Sequence, residues 1–446
     1  MNISRFIPRL VQEYQSAAAY LRRLEDWDDR RTPDLQFASL KEIWRDCVTD
    51  VPYYAELAAL GKAPKEISKW EDFYNIPELN RQLLQDFPEK FMRRSGPPDF
   101  KRMTGGSTGN PVHFGMWKSE DRVLRLLKLA LWIRAGYQPD SRIFLIWGHS
   151  HLLGTGWRRH VRHLQRKLKD RLLGYRRLDA YRLNPEICRA MARECLSFRP
   201  AGLIGYASAL DYFVRATPEF AEAFGKCGCR FVQPAAEPLP KPDSRELLCR
   251  TFNCQLIEEF GGVDFGQVAM RLDDGFFEVF PEHNILETRV ATNDGGTEEA
   301  ALVTTLYRRY TPLIRYRQGD ALAGAVKLAH GHVSRFARLD GRCNDMIRLD
   351  SGSTIHSVAV FHCIHQEPGV LNIQLVLENR GTTLRLVTTP DFDQNAERRI
   401  RQRLGQVAAE LSECVFERVS DVETSRAGKR RWFVDKRFVS GSPGKS

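Results

Sequence analysis

The chain has 446 residues, 42% hydrophobic and 28% charged, the balance of a globular protein and long enough for two or more domains, which argues against a disordered or fibrous class. Basic residues exceed acidic ones to give a formal net charge of +11, so the surface favours anionic partners such as nucleotides, acidic proteins or phospholipid headgroups. No run of about 18 uncharged apolar residues occurs and the N-terminal segment lacks an apolar signal core, which argues against a membrane span or a secretion signal and predicts a cytoplasmic protein.

Residues 1–60 carry helical periodicity: RLVQEYQSAAAYLRRL and LQFASLKEIWRDCV place apolar residues three and four apart. The Gly-, Pro- and Ser-rich segment SGPPDFKRMTGGSTGNP, residues 95–111, interrupts this pattern, and EDRVLRLLKLALWIRAG resumes it. SRIFLIWGHS is a run of β-formers closing on glycine, so it predicts a buried strand whose end presents Trp147, Gly148, His149 and His151. Residues 157–182 hold most of the local positive charge, with Val161, Leu164, Leu168 and Leu172 at helical spacing. They predict an amphipathic basic helix, readable as a solvated face or as a docking surface for a membrane or an acidic carrier.

Farther along, AGLIGYASALDYFVRA, CRFVQPAAEP, CQLIEEFGGVDFGQ and EEAALVTTLYRRYTPLIRYRQGD alternate strand-like runs with Gly-rich turns and helical patterns. That alternation predicts a mixed α/β architecture rather than a bundle. From about Leu339, DMIRLDSGSTIHSV and LNIQLVLEN lead into the polar helix NAERRIRQRLGQVAAELSE, the pattern of a small α+β domain after a short hinge. Ten cysteines at irregular spacing fit reduced thiols. Cys227 and Cys229, with Cys249 and Cys254, have zinc-ligand residue types but lack the usual two-residue gap and a His partner.

Thr104, Gly105, Gly106, Ser107, Thr108 and Gly109 occupy six consecutive positions before Asn110 and Pro111. Glycines allow positive φ and let backbone N–H groups approach a ligand, and the hydroxyls add donors, which suits phosphate oxygens. The same residues are ordinary turn formers. The segment is neither GxxxxGK[ST] nor GxGxxG, so phosphate binding here would be of another class.

After this loop come AAEP at residues 235–238, FGGVDFG at 260–266, YRQGD at 316–320, GRCNDMIR at 341–348 and RAGKRRWFV at 426–434. In this order, and with VPYYAEL, IPELNRQLLQ and GYASALDY elsewhere, they resemble the motifs of the adenylate-forming ligases. The likeness runs over about residues 35–437 and is greatest to the branch of phenylacetate-coenzyme A ligases and capsule-locus homologues. It implies a large multi-sheet α/β N-terminal domain, residues 1–340, and a small mobile α+β lid, residues 341–446. The implied reaction is activation of a small carboxylic acid by ATP, with Mg²⁺, to an acyl or aryl adenylate, followed by transfer to coenzyme A or another nucleophile.

The same resemblance implies the site residues. Thr104 to Gly109 would close over the β and γ phosphates, and Ala236, Glu237 and Pro238 would hold adenine, with Ala235 in place of the usual glycine. Phe260 and Gly261 open the next nucleotide segment; Asp320 would hold the ribose hydroxyls and Arg342 would add a ribose or phosphate contact. Trp147, His149, Tyr206, Phe260 and Gly261 would line the acid pocket, and Lys429 would supply the cation of the adenylation step.

Elementary chemistry fits these assignments. A carboxylate attacking the α phosphorus meets concentrated negative charge, so a positioned cation such as Lys429 suits the step. Without the upstream motifs Lys429 is one lysine in a basic tail beside Arg426, Arg430 and Arg431. Asp320 can accept from both ribose hydroxyls or cap its own turn. His149 and His151 flank Ser150 with no acid nearby in sequence, against a hydrolase triad, and no nucleic-acid reader module is recognisable.

The chain also departs from the family pattern. Asp264 stands where the family has a magnesium-binding glutamate and Val263 where it has a phosphate-contacting threonine; aspartate is one methylene shorter and valine cannot donate. Asn344 takes the hinge aspartate position, where its tolerance of unusual φ keeps a hinge feasible. The changes at Val263 and Asp264 raise one alternative, a catalytically impaired nucleotide-binding homologue, and the basic residues 157–182 raise another, a peripheral membrane factor in surface polysaccharide biosynthesis.

Overall fold

The structure is a computed structural model, and it describes residues 8–103, 112–147, 157–180, 183, 185–236, 238–272, 275–293, 296–342, 346–350, 354–356, 360, 363–364, 367–379, 381–423 and 433–437. At its centre is a nine-stranded mixed sheet. Five strands run parallel in the spatial order Gln255–Gly262, Phe231–Ala235, Gly202–Tyr206, Ile143–Ile146 and Tyr175–Leu178. The runs IFLI, GLIGY and FVQPA are buried at every position, as strands covered on both faces must be.

Alternation along these strands assigns their faces. Ile143 and Leu145 pack with Ile204, Phe231, Leu127, Leu131 and Trp132, so the Lys118–Arg134 helix covers one side. The Pro8–Glu25 helix packs against that helix through Ala17 and Tyr20. Phe144 and Ile146 point the other way, to Cys188, Leu203, Phe213 and Leu248. Helices Pro185–Phe198, Ala207–Arg215 and Ser244–Phe252 supply that layer.

The strand Gln255–Gly262 folds back through a tight hairpin onto Gly266–Leu272, and from there the sheet is antiparallel. This half packs against a second, five-stranded sheet, formed by Leu79–Asn80, Tyr316–Ala323, Gly296–Thr305, Asn284–Asn293 and Arg338–Arg342. Phe114, Phe265, Leu286, Val303, Tyr316 and Phe336 fill the space between them. Helix Thr32–Asp50 closes another core through Trp44, Tyr54 and Ile314.

A four-stranded sheet of Val415–Arg418, Gly381–Thr388, Val370–Glu378 and Phe433–Asp435 carries helix Gln394–Val407. Asp393 caps that helix by accepting from the Ala396 N–H at 2.8 Å, an interaction of about 1 kcal/mol. Ile373, Leu375, Leu386, Ile400 and Leu404 form its core, which draws only on residues from Ile347 onward. The architecture is mixed α/β, as the alternating sequence pattern predicts, and multi-sheet, as the resemblance implies. Among the described residues, no helix is long and apolar enough to cross a membrane.

Candidate active site

In an open parallel sheet, ligands collect at the carboxyl ends of the strands. Trp147 and Tyr206, two of the residues expected around the acid, stand there. Register pairs Ile146 with Gly205 and Tyr206 with Ala235, which brings Trp147, Tyr206 and Ala236 to one edge. The Trp147 and Tyr206 rings stack with centroids 4.4 Å apart and planes 29° from parallel, both packed on the core of this side of the sheet. Gly205 makes the approach feasible, because a Cβ there would lie 2.8 Å from the Ile146 carbonyl oxygen.

Ala236 adopts φ +69° and leads the chain off the strand into exposed Pro238. A left-handed alanine costs on the order of 1 kcal/mol, and such strain concentrates at ligand sites. The sequence comparison places the missing glycine at Ala235, whereas the structure concentrates the unusual backbone one residue later. His149 and Glu237 lie outside the described residues, as do Thr104, Gly105, Gly106, Ser107, Thr108, Gly109 and Lys429.

The strands flanking the Thr104–Gly109 loop are described. Phe100–Met103 and His113–Met116 pair antiparallel, with Met103 opposite His113, and so hold both ends of the loop together. Their base is tied to residues 308–311. Thr311 Oγ1 donates to the Gly115 carbonyl and accepts from the Gly115 N–H, each at 3.1 Å. Buried Glu120 accepts from the Arg309 and Tyr310 N–H groups at 2.5 and 2.8 Å.

Arg308 is 1% exposed, with its guanidinium 4.7 Å from the Phe114 ring centre, and Nη2 donates to the Val263 carbonyl at 3.2 Å. Among the described residues its Nε has no partner. The Phe100–Met103/His113–Met116 hairpin is thereby clamped to the Gly261–Gly266 turn by a buried positive charge. Nothing in the sequence pattern flags Arg308 beyond its place eight residues before Tyr316.

That turn holds the clearest departure from expectation. Asp264, expected to bind Mg²⁺, is 3% exposed; Tyr316 donates to its Oδ2 at 2.8 Å, and Arg81 Nη1 lies 3.8 Å from the same oxygen. Mg²⁺ keeps several waters in an octahedral shell, and a carboxylate this buried, with Oδ2 accepting from a hydroxyl and facing a guanidinium, leaves little room for that shell. In this structure Asp264 is instead a counter-ion joining three distant segments. Arg81 arrives because Leu79 and Asn80 pair in parallel with Tyr316 and Arg317. Val263, in the threonine position, is 53% exposed and presents methyls where a donor would be needed. Phe260 is also turned inward, 3% exposed against Phe265 and Phe336. At Phe260 the side chain is thus turned away, and the next residue, Gly261, is exposed.

Four residues beyond Tyr316, Asp320 lies at a bulge. Gln318, Gly319 and Asp320 stand opposite Ala301 alone, because Ala300 pairs with Ala321 and Leu302 with Arg317. Gly319 takes φ +109°, which only glycine adopts without strain, and the bulge aims the next side chain away from the ladder. Asp320 also pairs in register with Arg342, so the expected ribose residues come from adjacent strands.

Lys241, just past the AAEP segment, is another residue whose role the sequence does not announce. Its Nζ donates at 2.7 Å to the carbonyl of Val370, the first residue of the C-terminal sheet. Burial pushes its pKa down to about 8, with Arg215 adding to the effect and Asp211 and Asp243 opposing it. The two halves of the chain therefore meet at a buried ammonium beside the predicted adenine segment.

A cleft of about 900 Å³ opens at the amino ends of the parallel strands, away from these residues, lined by Arg134, Arg230, Arg250, Cys229, Cys249 and Cys254 among others. Burial raises the Cys195 thiol, and contact with Cys254 together with burial raises Cys229. All the described cysteines are free thiols, and no cluster of described residues could hold a metal ion.

No protein-family model matches the chain. Among solved structures it is similar to 2-hydroxyisobutyryl-CoA ligase in the postadenylation state in complex with R3-HIB-AMP. That match has a TM-score of 0.68 at 14% identity and covers 91% of this chain and 89% of the other. The same ligase with 2-HIB-AMP and CoA in the thioesterification state gives 0.55 at 15% identity over 93% and 91%. The chain thus has the fold of the adenylate-forming acyl-CoA ligases. In sequence it is similar to Protein CapK of Staphylococcus aureus, 20% identical over 424 residues, covering 93% of this chain and 91% of that one.

Proposed function

We propose that the protein is an AMP-forming acid ligase: it activates a small carboxylic acid with ATP and passes the acyl group to coenzyme A or another nucleophile. In the first step a carboxylate oxygen bonds to the α phosphorus as pyrophosphate leaves. In the second a thiol sulfur bonds to the acyl carbon, the bond to the AMP oxygen breaks, and the thiol proton passes to solvent.

One observation carries the reading. Segments that carry or flank the expected ATP motifs are tied together by Thr311–Gly115, 196 residues apart, and by Arg308–Val263 and Tyr316–Asp264, 45 and 52 residues apart. In this reading the Thr104–Gly109 backbone takes the leaving phosphates, Asp320 and Arg342 the ribose, Ala236 to Pro238 the adenine, and Trp147 and Tyr206 the acid. Residues 341–446 act as the lid that delivers Lys429. The fold likeness supports the reading, since the matched ligase is described with acyl-AMP and CoA.

The test is AMP and pyrophosphate release over a panel of aryl and short acyl acids, with and without coenzyme A. Acid-dependent AMP release supports the ligase. A second reading has its own observation, the exposed Val263 methyls beside a sequestered Asp264: a homologue that binds nucleotide without turnover. Tight ATP binding with no AMP from any acid would favour it.

A further inference from the structure

The Trp157–Leu173 helix reverses the usual arrangement of an amphipathic helix on a globular body. Asp170 is buried and ion-paired with Arg177 at 2.7 Å, while Arg166 and Leu173 are half-buried, so this side faces the protein. Residues turn by roughly 100° each around a helix, which puts Leu164, Leu168 and Leu172 on one stripe on the far side. These leucines are 70%, 60% and 39% exposed. Lys167 and Arg171, each one position before a stripe leucine, are exposed along its flank.

The charge is one-sided. The helix contains Arg158, Arg159, Arg162, Arg166, Lys167, Lys169 and Arg171 against the single acid Asp170, already engaged by Arg177. A helix serving only the core would bury its leucines, and one serving only solubility would not carry them in line. An apolar ridge bordered by Lys and Arg is the composition that lies flat in a lipid headgroup layer, with apolar tips at the acyl boundary and cationic heads at the phosphates. At 17 residues the helix is about 25 Å long and heavily charged, a length and composition for lying along a surface rather than crossing it.

We propose that this helix docks the protein onto an anionic membrane surface, with Leu164, Leu168 and Leu172 inserted at the interface. The inference stands independently of the ligase chemistry, because none of these residues belongs to the candidate active site.

The experiment is flotation of the full chain with phosphatidylcholine vesicles, with and without phosphatidylglycerol, at low and high salt. Wild type is expected to float with the anionic vesicles only, and less so as salt rises. The variant Leu164→Ser/Leu168→Ser/Leu172→Ser should lose binding by roughly 100-fold, from three leucines each worth several-fold at the interface. Its circular dichroism and thermal midpoint should match wild type, since the leucines are exposed, and AMP release, where present, should be unchanged. Equal flotation of wild type and triple variant, or equal flotation on neutral vesicles, overturns the proposal. So does a stripe-dependent dimer in sedimentation, or capture of an acidic carrier protein, by a chain that ignores anionic vesicles.

Discussion

Replacing Tyr316 by Phe removes a single oxygen from the centre of the site. Tyr316 is fully buried, its hydroxyl donates to Asp264 Oδ2 at 2.8 Å, and the Arg81 guanidinium nitrogen stands 3.8 Å from that oxygen. A hydrogen bond to a charged group contributes about 1.5–3 kcal/mol, and the upper part of that range applies where no water can take the vacated place. The ring and its neighbour Phe265, 6.3 Å away between centroids, stay in position, so little cavity penalty is added. Urea unfolding of Tyr316→Phe should therefore show a loss of about 2–3 kcal/mol with the m-value unchanged. Combined with Asp264→Ala the losses should fall short of additive, because both variants remove the same bond. A loss below about 0.5 kcal/mol, or strict additivity, would refute the view that Asp264 is a buried counter-ion held by Tyr316.

Three further outcomes follow from other contacts. Lys241 has its pKa lowered from 10.5 to about 8 in the fold, so the folded state disfavours its proton. Its contribution to folding stability should then be flat below about pH 8 and rise toward pH 10.5, by up to roughly 3 kcal/mol. Urea unfolding across this pH range should report the rise, and Lys241→Met should abolish it; an identical profile in the variant would contradict the burial of this ammonium. In Gly115→Ala the new Cβ runs into the Tyr310 ring and to 3.0 Å from the Pro98 Cβ, so thermal unfolding should register a loss of about 2 kcal/mol. Burial lowers His283 to about 4 and His332 to about 3 from 6.5, so both remain neutral in the fold but protonate once unfolded. Stability should fall as pH drops from 6.5 toward 4, and His283→Gln should reduce that slope by about 1.4 kcal/mol per pH unit in urea titrations.

Local chemistry explains what could be read in advance. Ile143–Ile146 is an apolar run ending on Trp147, and the Gln318-Gly319-Asp320 step carries glycine where the bulge needs φ +109°; such signals reside in a few adjacent residues. The helices Pro8–Glu25, Thr32–Asp50 and Lys118–Arg134 were legible from apolar spacing alone. Arg81 was not, because its role depends on a two-residue parallel pairing with a strand more than two hundred positions away. Arg308 and Lys241 were opaque for a related reason: a basic residue in a chain of net charge +11 looks like surface until burial is known. The motif resemblance puts Asp264 at a metal-ligand position, and its contacts with Tyr316 and Arg81 were not legible because both partners lie far from it along the chain. The Trp157–Leu173 helix was recognised as amphipathic, but periodicity does not say which face turns inward.

The central claim, that this fold forms an adenylate from an acid and ATP, is tested most directly by exchange of labelled pyrophosphate into ATP without coenzyme A. The account predicts exchange that requires one acid from the panel and disappears in Asp320→Ala and Lys429→Ala. Saturating ATP binding with no exchange for any acid, or exchange that proceeds unchanged in both variants, would contradict it.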